Sequence, residues 1–226
     1  MKNDLDARPV GRLASFVAAV LTAVTMLLAP AVTGGGAAPT AHAQGCPDIE
    51  VVFARGTDEP AGLGRVGQAF VDSLRGQVGG RSVGTYAVNY PATFDFLQVA
   101  AGANDASGHI QYMIANCPNT RLVLGGYSQG AAVIDIIAAI PVPGAGFTNP
   151  LPPNTPDFVA AIAVFGNPSA KVGLPLTTSP VWGPRSIDLC NAGDPVCGPG
   201  DNIPAHSNYD SAGLTNQAAG FVAGLL

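Results

Sequence analysis

Apolar residues in this chain fall into short unbroken runs and longer stretches of helical spacing, and the two kinds alternate. Ile49–Ala54 is a short apolar run, β-branched at its start, of the kind that fills a buried strand. Leu63–Val78 repeats apolar residues at 63, 66, 70, 74 and 78, the spacing of an amphipathic helix. Ser82–Val88 reads as a strand, Phe96–Cys117 as mostly helix and Arg121–Gly125 as a strand; Gly130–Ile140 is a helix stopped by Pro141. Val159–Phe165 and Arg185–Leu189 are further strands, and Tyr209–Leu225 closes the chain as a helix. Strands alternating with helices predict one three-layer α/β domain, with a five-stranded parallel sheet covered on both faces. The Pro-rich stretch Pro141–Pro156 reads as a loop inside that domain, too rich in proline to form a helical lid.

The first 43 residues follow a different pattern. Lys2, Arg8 and Arg12 precede an uncharged stretch from Leu13 to Val32, and small residues then lead to Ala41-His42-Ala43. A basic start, an apolar run and an A-x-A triplet predict a secretory signal peptide over residues 1–43, cleaved after Ala43, with the domain occupying 44–226. Its rival is a retained membrane anchor, since twenty uncharged residues suffice to span a bilayer. Pro30 and the cleavage triplet favour removal, and with it a secreted protein without a stable membrane span.

Composition narrows the partners. Ten Lys+Arg against fifteen Asp+Glu give a formal net charge of −5, and cleavage removes three of the bases. Such a chain is poorly suited to binding nucleic acid through its phosphates. Four cysteines, Cys46, Cys117, Cys190 and Cys197, all follow the cleavage site. In an oxidising compartment an even count predicts two disulfides. Three connectivities are open, and Cys46 with Cys117 and Cys190 with Cys197 is the simplest. The cysteine spacings match no zinc pattern, so no metal is expected.

Gly126-Tyr127-Ser128-Gln129-Gly130 matches G-x-S-x-G, which in a chain of 29 glycines carries little weight alone. Its setting adds the weight: Leu122–Gly125 is strand-like before it and Ala131–Ile137 helix-like after it, the strand-to-helix turn of a nucleophile elbow. Such a turn lifts the serine hydroxyl above the sheet, beside backbone N–H groups at a helix start that stabilise a developing oxyanion.

A serine hydroxyl needs a base. With His42 removed, His109 and His206 remain; His109 precedes the serine, on what reads as the solvent side of a helix, whereas His206 follows in a loop. The chain order Ser, acid, His selects His206. Among the intervening acids, Asp135 and Asp157 come early and Asp188 belongs to a strand. Asp194 lies in the loop bounded by Cys190 and Cys197, and Asp201 is its main competitor.

These residues resemble the cutinase family, in particular the secreted cutinase-like esterases of actinobacteria. The likeness rests on Val52-Phe53-Ala54-Arg55-Gly56-Thr57 after the first strand, on the Gly126–Gly130 elbow, on Gly193-Asp194-Pro195-Val196 within Cys190–Cys197, and on His206 beyond it. It implies a lidless α/β-hydrolase with Ser128, Asp194 and His206 as its triad, and an oxyanion hole from the backbone N–H groups of Thr57 and Gln129. It also implies two disulfides among the four cysteines. Many members carry serine where this chain has Thr57.

The reaction expected is ester hydrolysis through an acyl-enzyme, without cofactor, by a monomer acting on an ester or lipid substrate. Tyr90, Phe94 and Phe96 after the second strand, with Val196 and Ile203 beside the acid and base, are candidates for an apolar acyl crevice. Acyl transfer to an alcohol or sugar, a catalytically silent lipid-binding fold and proteolysis are the alternatives; an intact triad disfavours the silent one.

Overall fold

Six consecutive buried residues, Ile49–Ala54, form β1. They are followed by α1 (Gly64–Arg75), β2 (Val83–Ala87), a 3₁₀ turn at Phe96–Gln98 and α2 (Val99–Asn116). Next come β3 (Arg121–Tyr127), α3 (Gln129–Ala139), β4 (Val159–Phe165), the short α4 (Pro168–Lys171), β5 (Ser186–Leu189), α5 (Ile203–Ser207) and α6 (Leu214–Ala223). This computed structural model describes residues 45–226. The expected signal segment and its cleavage site lie outside the described residues. No helix among those described is long and apolar enough to cross a membrane.

All strand pairs are parallel, in the order β2-β1-β3-β4-β5, so every strand delivers its C-terminal end to the same edge. Period-two alternation sorts side chains onto two faces. Val52, Ala54, Leu122, Leu124, Ile162 and Val164 pack beneath α2 and α3. Ile49, Val51, Phe53, Val123 and Phe165 pack on α1 and α6. On that second face Phe53, Phe70 and Phe165 form a ring cluster, with Phe70 edge-on to Phe165 at 5.8 Å. Burying each such ring stabilises the fold by roughly 1.5–3 kcal/mol. The same packing fixes Phe165, whose carbonyl accepts the Ser128 N–H at 2.8 Å.

Three expectations need correction. His206 lies on the short helix α5 rather than in a loop, because Pro204 at its start favours a helical turn. The last helix begins at Leu214 rather than Tyr209: Tyr209 is driven into the core, and Gly213 takes a left-handed conformation ahead of the helix. His109 is not on the solvent side of α2; its ring stacks on Tyr86 at 3.5 Å and meets Glu50. The Pro-rich loop lies at the far end of α3 from Ser128, where Ile137, Ala138 and Ile140 meet Leu151 and Pro152. Asn104 and Ser107 of α2 bond its backbone.

Candidate active site

Ser128 occupies the junction of β3 and α3 with φ 55° and ψ −116°, a strained backbone for a residue with a side chain. The tight turn depends on its flanking glycines. A Cβ on Gly126 would lie 2.2 Å from the Gly130 carbonyl oxygen, and one on Gly130 would lie 2.0 Å from that of Ala54. Of the four non-glycine residues with positive φ among those described, Asp58, Ala92 and Ser128 belong to three loops that meet here. The Asp58 N–H donates to Ala92 O at 2.7 Å, and Gln129 Nε2 donates to Thr93 O at 2.9 Å.

From Ser128 a chain of hydrogen bonds runs inward. Ser128 Oγ lies 2.8 Å from His206 Nε2, and His206 Nδ1 lies 2.8 Å from Asp194 Oδ2. With Nδ1–H donating to the carboxylate, Nε2 is free to accept the serine proton. Asp194 is wholly buried. Its Oδ2 also accepts from Tyr209 Oη at 2.6 Å, and its Oδ1 accepts from the Val196 N–H at 2.7 Å. Burial pushes this carboxyl up, but the hydrogen bonds from Tyr209, His206 and Val196 outweigh it and hold the group below its usual range. Asp201 is exposed and makes no hydrogen bond to His206 among the described residues.

The loop that carries Asp194 is closed by the Cys190–Cys197 disulfide, and Cys46 pairs with Cys117. Asn191 Nδ2 donates to Ala205 O at 2.8 Å, and the Asn202 N–H donates to Gly193 O at 2.9 Å, stitching the acid loop to the helix of His206. Cys190, Asp194 and Cys197 also lie within metal-ligand distance of one another, but both sulfurs are spent in the disulfide.

Across the serine, the loop after β1 is held rigidly. Arg55 is buried and donates to the carbonyls of Glu59 and Tyr90, and Tyr90 Oη donates back to Arg55 O. Glu59 accepts from the Gly56 and Arg65 N–H groups. Between these anchors the Thr57 N–H has no hydrogen-bond acceptor among the described residues, and the Gln129 N–H sits at the first position of α3, where helix geometry offers none. Thr57 Oγ1 donates to Gln129 Oε1 at 3.4 Å.

A family model described as Cutinase matches residues 45–226. The chain belongs to the cutinase family. Among its relatives, Phospholipase Culp4 of Mycobacterium tuberculosis is 62% identical over 213 residues, covering 94% of this chain and 91% of the relative. Probable carboxylesterase Culp3 of the same organism is 53% identical, over 96% and 85%. Trichoderma reesei cutinase, solved with a phosphonate inhibitor, matches with a TM-score of 0.64 at 33% identity, over 80% of this chain and 77% of that one. Membership makes this chain a carboxylic ester hydrolase with the α/β-hydrolase fold.

Within this cutinase-family site the expected acyl residues divide. Tyr90 is 4% exposed, with its ring against Gly102 and its hydroxyl on Arg55 O, so it braces the Thr57 loop and is too buried to line an open crevice. Phe94 and Ile203 are 74% and 69% exposed, Phe96 is exposed as well, and Val196 is half-buried. Phe94 follows β2, Phe96 opens the 3₁₀ turn after it, Val196 lies on the loop of Asp194, and Ile203 begins α5, the helix that carries His206.

Three residues bear on the site that the sequence pattern does not single out, Tyr127 being a variable position of the Gly126–Gly130 elbow. Tyr209 grips Asp194, and Tyr127 Oη donates to His206 O at 2.6 Å. Gly166, at φ 58°, leaves room for His206: a Cβ there would lie 2.8 Å from its Cε1. The spacing of Tyr209, three residues after His206 on an otherwise polar segment, was the one available signal.

Proposed function

We propose that the chain is a secreted, lidless serine esterase that cleaves carboxylic esters of lipids or of other apolar acyl compounds through Ser128, His206 and Asp194, after removal of residues 1–43. The observation that carries this reading is the unbroken hydrogen-bond chain from Ser128 through His206 and Asp194 to Tyr209, in a chain of the cutinase family.

Ser128 Oγ attacks the acyl carbon as His206 Nε2 takes its proton, while Asp194 stabilises the imidazolium. The carbonyl electron pair becomes an oxyanion facing the unpaired N–H groups of Thr57 and Gln129, where each donor is worth on the order of 10²–10³ in rate. Collapse expels the alcohol, which takes the proton from His206. Water repeats the cycle on the acyl-enzyme, releasing the acid. No step calls on a metal or organic cofactor.

The rim supports the substrate class proposed. Phe94, Phe96, Leu97, Val172, Leu174 and Ile203 are all exposed on segments that follow the C-terminal ends of β2, β4 and β5. Such a concentration of exposed apolar side chains suits an ester with an apolar acyl group. It agrees with relatives named as a phospholipase and a probable carboxylesterase.

The test is covalent labelling by a fluorophosphonate together with hydrolysis of p-nitrophenyl butyrate. Both are expected in the wild type and both vanish in Ser128→Ala; a folded wild-type protein that takes no label would overturn the reading.

A further inference from the structure

Glu50 is the one charged residue of β1, and at 8% exposure it sits in the body of the sheet. Burying a carboxylate in a central strand costs several kcal/mol unless its charge is met. Only half of it is met. Oε1 lies 2.5 Å from His109 Nε2, whereas Oε2 takes no hydrogen bond from the described residues. His109 is itself fixed, stacked on a Tyr86 ring whose hydroxyl donates to both Asp105 carboxylate oxygens.

The free side of Glu50 opens on a cleft of about 470 Å³. Its neighbour in register on β2 is Gly84, which supplies no side chain to cover it; a Cβ there would come 3.6 Å from Glu50 Oε2. Pro47, the Cys46–Cys117 disulfide, Tyr112 and Met113 make the walls, and among the described residues no lysine or arginine lines the cleft. This is a site apart from the ester-cleaving one. Leu122 pairs with Glu50 in register, and Ser128 lies six residues further along, roughly 20 Å away at about 3.3 Å per residue.

We propose that this cleft binds an organic cation: a primary ammonium or guanidinium group carried on a short apolar chain. The cation donates to Glu50 Oε2, a charge-assisted bond in a partly desolvated setting. The chain lies against Met113 and the disulfide, and the Tyr112 ring, 59% exposed at the rim, adds a face on which a cation is attracted. A metal ion fits poorly, because among the described residues only Glu50 and His109 of the lining carry free metal-ligating side chains, fewer than the three or four a protein site supplies.

The experiment is a titration of the folded protein with n-butylammonium chloride, followed by amide NMR, with n-butanol as the uncharged control. Saturable shifts are expected at Gly84, Thr85, His109 and Tyr112, with a Kd of about 1 mM, the range open to a ligand of five heavy atoms. Butanol should bind at least tenfold more weakly, as should butylammonium to Glu50→Gln. Unsaturable shifts, an equal response to butanol, or undiminished binding to folded Glu50→Gln each overturn the proposal. Should Glu50→Gln fail to fold, Tyr112→Ala decides: three- to tenfold weaker binding supports the site, and unchanged binding overturns it. None of these outcomes depends on whether Ser128 is the nucleophile.

Discussion

Tyr209 Oη and His206 Nδ1 converge on one oxygen, Oδ2 of Asp194, at 2.6 and 2.8 Å. Burial first, and then the bond to Asp194, push the Tyr209 phenol well up, so it remains a donor throughout the working pH range. The phenol therefore holds the carboxylate in the plane that meets the imidazole, and favours its ionised form. Tyr209→Phe is expected to lower kcat/KM by roughly 10- to 100-fold, the worth of a hydrogen bond to a charged group, with KM little changed. Losing a donor to the ionised form raises the Asp194 carboxyl, so the acid limb of the pH–rate profile should move to higher pH. A role confined to packing would lower the rate without moving that limb.

Gly166 lies between β4 and α4 with φ 58°, and its N–H donates to Leu189 O at 2.9 Å. Gly166→Ala adds the cost of a left-handed residue, about 1–2 kcal/mol, and sets a methyl 2.8 Å from His206 Cε1. The imidazole must shift, and a displacement of 1 Å at a catalytic base costs about 10²-fold. The expected result is a folded protein with kcat reduced by about that factor and fluorophosphonate labelling slowed in parallel. Unchanged labelling kinetics would refute the role given to this glycine.

Much of this was legible in the chain because period and punctuation carry it. The runs at Ile49–Ala54 and Val159–Phe165 became buried strands with the boundaries that their apolar residues mark. His206 could be singled out by chain order and elimination because so few histidines were available, and Ser128 by the strand-to-helix setting of its motif. Asp194 had Asp201 as a competitor until the fold set Asp194 against His206 Nδ1. What escaped was tertiary in origin. Tyr90 has the composition of a pocket residue, and only the fold reveals that its hydroxyl is consumed by the Arg55 carbonyl. His109 fits a solvent-facing helix position in a one-dimensional reading, yet the strand beneath it carries Glu50. Nothing local marks Gly166, whose constraint is a neighbour forty residues away along the chain.

A buried pair of acids makes the protein's stability depend on pH. Asn167 Nδ2 donates to Asp135 Oδ1 at 3.3 Å and to Asp188 Oδ2 at 3.0 Å, while Asp135 Oδ2 and Asp188 Oδ1 are buried without a hydrogen-bond partner among the described residues. Burial pushes both carboxyls up to about 6, helped at Asp188 by the charge of Asp135. Since the folded state holds these protons more tightly than the unfolded chain, their contribution is fully present below about pH 4 and is lost as pH rises through about 6. Asp188→Asn keeps an acceptor for Asn167 and removes the charge. It should stabilise the fold at pH 8 by roughly 2 kcal/mol and by little at pH 4, read as a Tm gain confined to the higher pH. Equal gains at both values would contradict the shared burial of charge.

In the proposed mechanism Thr57 offers two separable contributions to oxyanion binding. Its N–H is unpaired and aligned by the Arg55–Tyr90 and Glu59 anchors, whereas its hydroxyl points to Gln129 Oε1 at 3.4 Å, too long for a strong bond. The hydroxyl is therefore free to turn toward a developing oxyanion, though it must give up Gln129 to do so. Thr57→Val keeps shape and backbone and deletes the hydroxyl, and is expected to lower kcat on p-nitrophenyl butyrate about tenfold with KM unchanged, less than the 10²–10³ of a fully committed donor. Thr57→Ser restores the hydroxyl with a freer χ1 and should recover wild-type kcat or exceed it slightly. If Thr57→Val matches the wild type, the oxyanion is held by backbone donors alone; if it falls by 10³, the hydroxyl is a full member of the hole.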